Sequence, residues 1–223
     1  MSLHLGIIPD GNRRYCKENN ISLIQLIELL YNNIIDLFTA IYYNKLEYIK
    51  KITELSIFIL SYDNIKKRTI EDLEPIYTII TNLCKYIIKT DKIKEHMYLF
   101  EKMKITFVGR LDILPANIQL LIDEINKINI DKTNNNLFNV TIAIAYDPYH
   151  DMNNIIHNID KRPQTPLDLI IRTSGEKRLS GFFPYHSLYA ELLFISKYWP
   201  EMTIDNINKS IEIYYKRNRR FGK

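Results

Sequence analysis

The sequence has little cysteine, no long uninterrupted apolar run and only a small excess of positive charge. Its two cysteines, Cys16 and Cys84, fit neither a metal-binding spacing nor a disulfide framework, so we expect a reducing compartment, the cytoplasm. No window reaches about 20 consecutive apolar residues, the length that a membrane-spanning helix needs, and no span is predicted. The first residues have the pattern of a strand and lack the basic region and apolar core of a signal peptide. No signal peptide is therefore expected.

The charge balance is mild. A formal net charge of +4 fits anionic small ligands better than nucleic acid, which needs a concentrated basic stripe, so no nucleic-acid partner is expected. The dense basic run at residues 216–220 is most simply a solvated tail when it is considered alone. With 46% hydrophobic and 25% charged residues, the composition is that of one globular domain covering residues 1–223.

Short apolar runs alternate along the chain with longer helical patterns. Strands are predicted at residues 3–8, 55–60, 105–108, 139–145, 167–171 and 192–195. Helices are predicted at residues 21–43, at 70–89, from Pro115 onward, briefly after Asp147, and at 204–219 with Thr203 as the N-cap. This alternation predicts a single α/β domain with a mostly parallel central sheet flanked by helices.

The helical segment 21–43 is apolar around more than one stripe. It therefore either belongs to the core or lines an apolar channel, and the sequence does not separate the two. Asn32, Asn33 and Asp36 interrupt the pattern and allow a bend or two helices. Contact of such apolar helices with a membrane surface is a further hypothesis.

Polar residues collect where the predicted strands end. Residues 10–12 follow the first strand, residues 61–64 the second, and residues 172–175 the fifth. Parallel strands bring these turns to one edge of the sheet, the edge at which ligands bind in such folds. The first turn leads toward a helix, so its backbone N–H groups, together with Arg13 and Arg14, suit an anion.

The stretch around the fifth predicted strand has the densest set of charged and hydroxyl side chains: Arg172, Arg178, Ser180 and Glu191. Arginine forks and a serine hydroxyl suit a phosphate or diphosphate. A carboxylate among them, like Asp10 in the first turn, suits Mg²⁺ bridging to phosphates. For any one residue, a surface turn with exposed ion pairs is the simpler interpretation. The cluster as a whole, beside a large apolar interior, favours diphosphates attached to hydrophobic chains.

Six motifs occur in a familiar order: HLGIIPDGNRRY, LSYDN, DLIIRTSGEKRLSGFF, YAELLF, WPE and RRFG. Together they resemble the cis-prenyltransferases, the family of undecaprenyl and dehydrodolichyl diphosphate synthases, over nearly the whole chain. The resemblance implies Mg²⁺-dependent condensation of isopentenyl diphosphate with an allylic diphosphate, giving a short- to medium-chain Z-polyprenyl diphosphate. It also implies a homodimer and a hydrophobic tunnel for the product.

The resemblance assigns roles to individual residues. Asp10 handles the metal and the allylic diphosphate, Glu191 is the second metal ligand, and Asn64 assists proton removal. The other matched positions bind the diphosphates: Gly11, Asn12, Arg13, Arg14 and Tyr15 in the first turn; Ser61, Tyr62, Asp63 and Lys67 in the second; Arg172, Arg178, Leu179 and Ser180 as the isopentenyl diphosphate clamp; and Arg220 and Gly222 in a C-terminal Arg-x-Gly motif that reaches a diphosphate across or near the dimer interface.

The departures from the family pattern lie on the allylic side. Residues 21–28 lack the arginine and the Gly-His pair expected there, and Lys67 stands at an arginine position unless Arg68 substitutes. Two alternatives therefore stay open: a single or irregular head-to-middle condensation of allylic diphosphates, or a non-catalytic partner subunit. The presence of both Asp10 and Glu191 argues against the second. Ile59, at a position where the family often has a small residue, predicts a narrowed channel and a shorter product.

Overall fold

The computed structural model of the chain describes residues 2–90, 100, 102–130, 137–157 and 165–218. Its strands are β1 (Leu3–Ile8), β2 (Ile52–Phe58), β3 (Met103–Val108), β4 (Phe138–Ala143), β5 (Leu169–Arg172) and β6 (Glu191–Phe194). They form one six-stranded sheet in the order β3-β4-β2-β1-β5-β6, and every neighbouring pair is parallel. The predicted parallel α/β sheet is confirmed.

The α-helices with described bounds are α1 (Asn12–Asn19), α2 (Leu23–Tyr42), α3 (Tyr62–Lys67), α4 (Ile70–Thr90), α5 (Ala116–Ile130), α6 (Pro148–Ile156) and α7 (Ile204–Lys216). Polar side chains start several of them. Ser22 and Gln25 form a capping box at α2, and Asp147 accepts two backbone N–H bonds at the start of α6. Thr203 caps α7 by accepting from the Asn206 N–H, as predicted.

The helices differ from the predicted ones in three ways. α1 begins directly behind the glycine turn, and α3 is a short polar helix that no apolar periodicity indicated. α2 runs unbroken through Asn33 and Asp36, because the apolar positions on both sides of them pack on the core. α7 ends at Lys216, since Arg217 is extended and its guanidinium binds Glu191 in β6.

The sheet is covered on both faces. On one face Leu3, Leu5 and Ile7 are buried under α2, α4, α5 and α7. On the other face, the rings of Phe58 and Phe182 stack at 5.1 Å, beneath the loop that joins β5 to β6. All six residues of β1 are buried, so the turn that follows β1 starts from a rigid support.

Helix α2 is long and apolar enough, by length and composition, to cross a membrane over Ile24–Tyr42. Core helices of globular proteins meet the same test, and Leu30, Ile34, Leu37 and Phe38 are buried against the sheet side. The core interpretation therefore accounts for the buried side of this segment, although Ile24 near its start is exposed. The channel interpretation and the membrane contact stay predictions.

Candidate active site

The polar turns meet at the carboxyl edge of the sheet, as the pattern predicted. β1 lies between β2 and β5, and the register pairs its last residue, Ile8, with Arg172 at the end of β5. The chain adds strands on the β2 side first and then crosses to β5, so the order reverses beside β1. Such a switch point opens a crevice above the strand ends. Asp10 and the turn after β5 face each other there.

Asp10 and Arg172 form the centre of this edge. Arg172 Nη2 donates to Asp10 Oδ2 at 2.7 Å, although the two residues are 162 positions apart. Thr173 Oγ1 accepts from the Asp10 N–H at 2.8 Å, and the Trp199 N–H donates to the Asp10 carbonyl at 3.0 Å. Burial opposes ionisation of Asp10, but the bonds from Arg172 and Gly11 outweigh it and hold the pKa of this carboxyl below its usual value.

Arg172 is buried, and the loop after β5 wraps around it. Its Nη1 donates to the Ser180 hydroxyl at 2.9 Å and to the Arg178 carbonyl. Its Nε is buried without a partner among the described residues. Leu179 packs against the aromatic cluster below the loop. The expected isopentenyl diphosphate clamp is therefore one connected structure, with Arg178 reaching outward from it.

Helix α1 begins beside this clamp. Gly11 has φ +96°, and a Cβ there would come within 2.3 Å of the Tyr198 ring and 2.8 Å of the Ser174 Cβ. Only glycine avoids both the strained φ and the overlap. Arg14 donates from Nη2 to the Ser174 hydroxyl at 2.7 Å and lies 5.5 Å from the centre of the Tyr198 ring. The helix start and its arginine are thus fixed against the β5 turn.

The remaining predicted residues of the first turn lie around Arg14. Asn12 donates to the Pro9 carbonyl, and its Oδ1 is buried without a partner in the described part of the chain. Tyr15 contacts the Tyr198 ring edge-on at 6.4 Å. Arg13 forms a 3.0 Å ion pair with Asp72 at the surface.

The second turn forms the start of α3. Ser61 is the N-cap and accepts from the Asn64 N–H, which fixes both predicted residues on this helix. Asp63 forms a 3.2 Å ion pair with Lys67, and both side chains are largely exposed. The Tyr62 ring has the Lys66 amine 4.1 Å from its centre. This turn therefore lies at the same edge, but its charges pair with each other.

Arg68, which the family pattern left as a substitute for Lys67, is close enough to the first turn to be influenced by its charges. α3 ends at Lys67, and Arg68 is extended and half-buried. Burial and the nearby Arg13 lower the pKa of Arg68, while the charges of Asp72 and Asp10 oppose that shift. These neighbours put its guanidinium beside the first turn.

Glu191 is not near Asp10 within one chain. It is the first residue of β6 and pairs with Leu169, the first residue of β5, so it lies at the amino edge of the sheet. There its Oε2 accepts from Arg217 at 2.7 Å. The predicted residues Arg220 and Gly222 lie outside the described residues.

No group of three or more histidine, cysteine or acidic side chains suited to a metal occurs among the described residues. Mg²⁺, however, commonly binds through one or two carboxylates plus substrate phosphates and water. Asp10 is a single ionised carboxylate at the site's centre, 32% exposed. The donor set of the chain therefore fits Mg²⁺ together with a diphosphate, and not a cage made by protein alone.

Sequence reasoning assigned no role to Thr173, Ser174, Glu176 and Tyr198, which hold Asp10 and Arg14 in position. Three of them belong to the RTSGE motif, so their position next to Arg172 was a usable signal. Tyr198 had none, because it follows β6 and approaches Gly11 only in the folded chain.

The chain matches known proteins over almost its full length. Residues 8–222 match the family model described as "Putative undecaprenyl diphosphate synthase". The chain is 29% identical to the tritrans,polycis-undecaprenyl-diphosphate synthase (geranylgeranyl-diphosphate specific) of Pyrobaculum aerophilum, covering 99% of this chain and 95% of that protein. It is 30% identical to the isoprenyl transferase of Treponema denticola, covering 98% and 96%.

Two solved structures have the same fold. Lavandulyl diphosphate synthase from Lavandula x intermedia superposes with a TM-score of 0.77 at 19% identity, over 99% of this chain and 98% of that one. A probable undecaprenyl diphosphate synthase from Campylobacter jejuni gives a TM-score of 0.69 at 20% identity, over 100% and 99%. At these identities the likeness concerns the fold alone.

Proposed function

The chain belongs to the undecaprenyl diphosphate synthase family, and we propose that its site holds that reaction's two diphosphates on either side of Asp10 and Arg172. It is a prenyl transferase of the polyprenyl diphosphate synthase type, which elongates Z-prenyl chains with isopentenyl diphosphate. The observation that carries the proposal is the 2.7 Å contact between these two side chains. It joins the two turns that the motifs assign to the two substrates.

We assign the isopentenyl diphosphate group to the loop after β5. Arg172 is buried and already oriented by Ser180, so it offers a preorganised guanidinium at the floor of this half. Arg178 is 61% exposed and can extend toward a bound phosphate. Leu179, next to Arg178, anchors this loop by packing on the aromatic cluster. Arg172 would orient the group and Arg178 would hold it from the solvent side.

We assign the allylic diphosphate to the start of α1. Four backbone N–H groups at a helix start lack partners within the helix and favour an anion. Arg13 and Arg14 add charge, and Asn12 adds a buried amide. Arg68, in place of Lys67, supplies the further cation on this side, since Lys67 pairs with Asp63 in solvent.

Mg²⁺ would be held by Asp10 together with the diphosphate oxygens. When bound, it supplies positive charge that stabilises the departing diphosphate. The low pKa of Asp10 supports this assignment, because a metal ligand must be ionised.

A second copy of the chain would complete the site. Across the sheet, Leu5 in β1 pairs with Leu169 in β5, which pairs with Glu191 in β6. Glu191 is therefore two strands away from β1, at the height of a residue that lies three positions before β1 ends. At about 3.3 Å per residue and about 4.8 Å per strand, it lies more than about 10 Å from Asp10, whereas Mg²⁺ binds oxygens at about 2.1 Å. Glu191 can therefore share a metal with Asp10 only across two chains.

The edge beside β6 suits such a homodimer. β6 ends the sheet, and in the loop before it Tyr185 and Leu188 are 53% and 70% exposed. Arg217 binds Glu191 and therefore lies at the same edge. An exposed apolar surface at an unpaired strand is typical of a contact between copies.

The residues of this chain would act as follows. The C–O bond of the allylic diphosphate breaks, the double bond of isopentenyl diphosphate attacks the freed carbon, and a proton leaves. Arg14 neutralises charge that develops on the leaving diphosphate. The Asn64 amide, on α3 at the same edge, assists the departure of the proton.

The direct test is turnover. Purified chain is incubated with labelled isopentenyl diphosphate, Mg²⁺ and geranyl, farnesyl or geranylgeranyl diphosphate, the last because a relative is named for it. We expect Z-polyprenyl diphosphates. Products from dimethylallyl diphosphate alone would favour irregular condensation. No turnover in any mixture, with Asp10→Ala equal to the wild type in cells, would leave a non-catalytic subunit.

Arg178→Ala tests the isopentenyl side. Losing a charged hydrogen bond should raise the KM for isopentenyl diphosphate by about 10- to 100-fold. Arg110→Ala is the matched control, since Arg110 lies after β3 at the same edge and pairs with Asp112 just as Arg178 pairs with Glu176. Equal KM values in the two variants would contradict the assignment.

Mixing Asp10→Ala with Glu191→Ala chains tests the dimer. If Glu191 serves the partner's Asp10, each mixed dimer regains one intact site, and activity should return to about a quarter of the wild-type value by symmetry. If both residues act within one chain, the mixture stays inactive.

A further inference from the structure

Glu176 lies between the two halves of the site. Its Oε1 is 3.3 Å from Arg14 Nη1 in α1, and its Oε2 contacts Arg178 Nη1 in the loop after β5. The Glu176 side chain is 29% exposed, and the arginine side chains are 45% and 61% exposed. One carboxylate thus links an arginine of the allylic half to an arginine of the isopentenyl half.

A carboxylate and a phosphate present the same kind of oxygen acceptors to a guanidinium. A diphosphate that binds Arg14 or Arg178 would take the positions of the Glu176 oxygens, and its charge would repel the carboxylate. Arg14 would keep its orientation, because Nη2 stays on the Ser174 hydroxyl. Displacing Glu176 therefore exposes both arginines without dismantling the turn.

We propose that Glu176 is a positioning residue: its carboxylate occupies these two arginines until a diphosphate displaces it, and it thereby sets the affinity of the site for diphosphates. The inference rests on the assignment of Arg14 and Arg178 to the substrates proposed above. The inference adds to that assignment a carboxylate of the chain itself, which competes with the diphosphates for the two arginines.

The other acids of the site differ from Glu176 in their surroundings. Asp10 is tied by its backbone to Thr173 and Trp199 and by its side chain to buried Arg172. Asp72 contacts Arg13 at the surface. Glu176 instead follows Ser174 and Gly175, whose N–H groups bond to the segment after β6, and it is the first residue beyond that anchored turn. It can swing away while the turn stays fixed.

Glu176 would affect both the binding of diphosphate substrates and the release of pyrophosphate during turnover. Pyrophosphate leaves after each condensation, and Glu176 would return to the arginines as it departs. Replacing Glu176 by glutamine keeps the size but removes the charge. Diphosphates should then bind more tightly, and pyrophosphate should leave more slowly. Both the KM for isopentenyl diphosphate and kcat should fall, whereas a merely structural role would not lower KM.

The experiment is calorimetric titration of the full chain with pyrophosphate, in chelator and again with Mg²⁺. We expect the Kd for Glu176→Gln to be about tenfold lower than for the wild type, a modest factor because solvent screens a partly exposed charge. Glu212→Gln is the matched control. Glu212 forms an ion pair with Lys216 on α7, with 34% of its side chain exposed, and its loss should leave the Kd unchanged.

Arg178→Ala separates the two ways of failing. If Arg178→Ala weakens pyrophosphate binding but Glu176→Gln leaves it unchanged or weakens it, the inference is wrong and the assigned site stands. If Arg178→Ala also has the wild-type Kd, the assigned site itself is wrong. Should the glutamine variant not fold, Glu176→Ala replaces it: this variant also removes the carboxylate, so a Kd about tenfold lower than that of the wild type supports the inference, and an unchanged or higher Kd overturns it.

Discussion

His4 lies in β1 at the end opposite to Asp10, and it is 3% exposed. Its Nε2 is 2.9 Å from the Ser56 hydroxyl, and its Nδ1 is 3.0 Å from the Thr165 carbonyl. Burial is the largest influence and lowers the pKa of His4 to about 4, although Thr165 and the charge of Asp168 act in the other direction. We predict that the folded chain keeps this imidazole neutral and that unfolding lets it take up a proton.

The size and the sign of the effect follow from the two pKa values of His4, about 4 in the folded chain and 6.5 for an ordinary histidine in the unfolded chain. Between them only the unfolded chain binds the proton, so the free energy of unfolding decreases as the pH is lowered through this window and is unaffected above it. The expected loss is about 1 kcal/mol between pH 7 and pH 5.5, and on the order of 3 kcal/mol in full. One kcal/mol corresponds to about 2–4 °C in Tm for a chain of this size.

The assay is urea unfolding at several pH values from 7 to 5.5, followed by the fluorescence of the buried Trp199. His4→Gln should have a flatter pH dependence than the wild type, by about 1 kcal/mol over this range. His157→Gln, at an exposed histidine, should keep the wild-type slope. Glu54 acts in the opposite direction, because burial raises its pKa and its protonation favours the folded chain. Equal slopes for His4→Gln and the wild type would refute the reasoning.

Three further predictions concern the site. Gly11→Ala should lower the free energy of unfolding by about 1–3 kcal/mol and raise the KM for the allylic diphosphate, because the φ of +96° and the close neighbours leave no room for a methyl group. Urea unfolding and steady-state kinetics measure the two effects. Arg68→Met should raise the KM for the allylic diphosphate about tenfold, while Lys67→Met should have a KM near that of the wild type. A larger increase in KM for Lys67→Met than for Arg68→Met would mean that Lys67 is the residue that binds this diphosphate. Tyr86→Ala should lengthen the products seen by chromatography, since the Tyr86 ring on α4 lies 5.6 Å from the Tyr31 ring on α2 and 5.7 Å from the Phe100 ring, and this group of rings fills space beside α2. Unchanged lengths would mean that the product follows another path.

Much of the fold is readable from local pattern. Leu3, Leu5 and Ile7 alternate with residues of the other face, and such runs between helical segments specify parallel strands. The bounds of β1 agree with the prediction, and those of the other strands differ by up to three residues, because pairing register decides where a strand begins. α3 escaped prediction because its residues are polar and a serine cap, not an apolar stripe, starts it.

The site was predictable where it depends on strand ends. Asp10 and Arg172 follow from β1 and β5 being parallel neighbours, which brings their ends together. The sequence left the choice between Lys67 and Arg68 open, since it depends on the residue at which the short helix α3 ends. The level of Glu191 on β6 depends on register across two strand pairs. The contact with a second copy that we propose for it depends on a surface that one sequence does not specify.

Helix α1 contributes no fully buried side chain, although it follows β1, in which every residue is buried. Apart from the partly buried Cys16 and Tyr15, its attachments are polar: Arg14 to Ser174 and Glu176, Arg13 to Asp72, and Glu18 to the Tyr198 hydroxyl at 2.7 Å. A segment held in this way opens locally at a free energy well below that of global unfolding. Amide hydrogen exchange in α1 should therefore report the charge state of the site, slowing whenever anions hold its arginines and quickening when those anions leave.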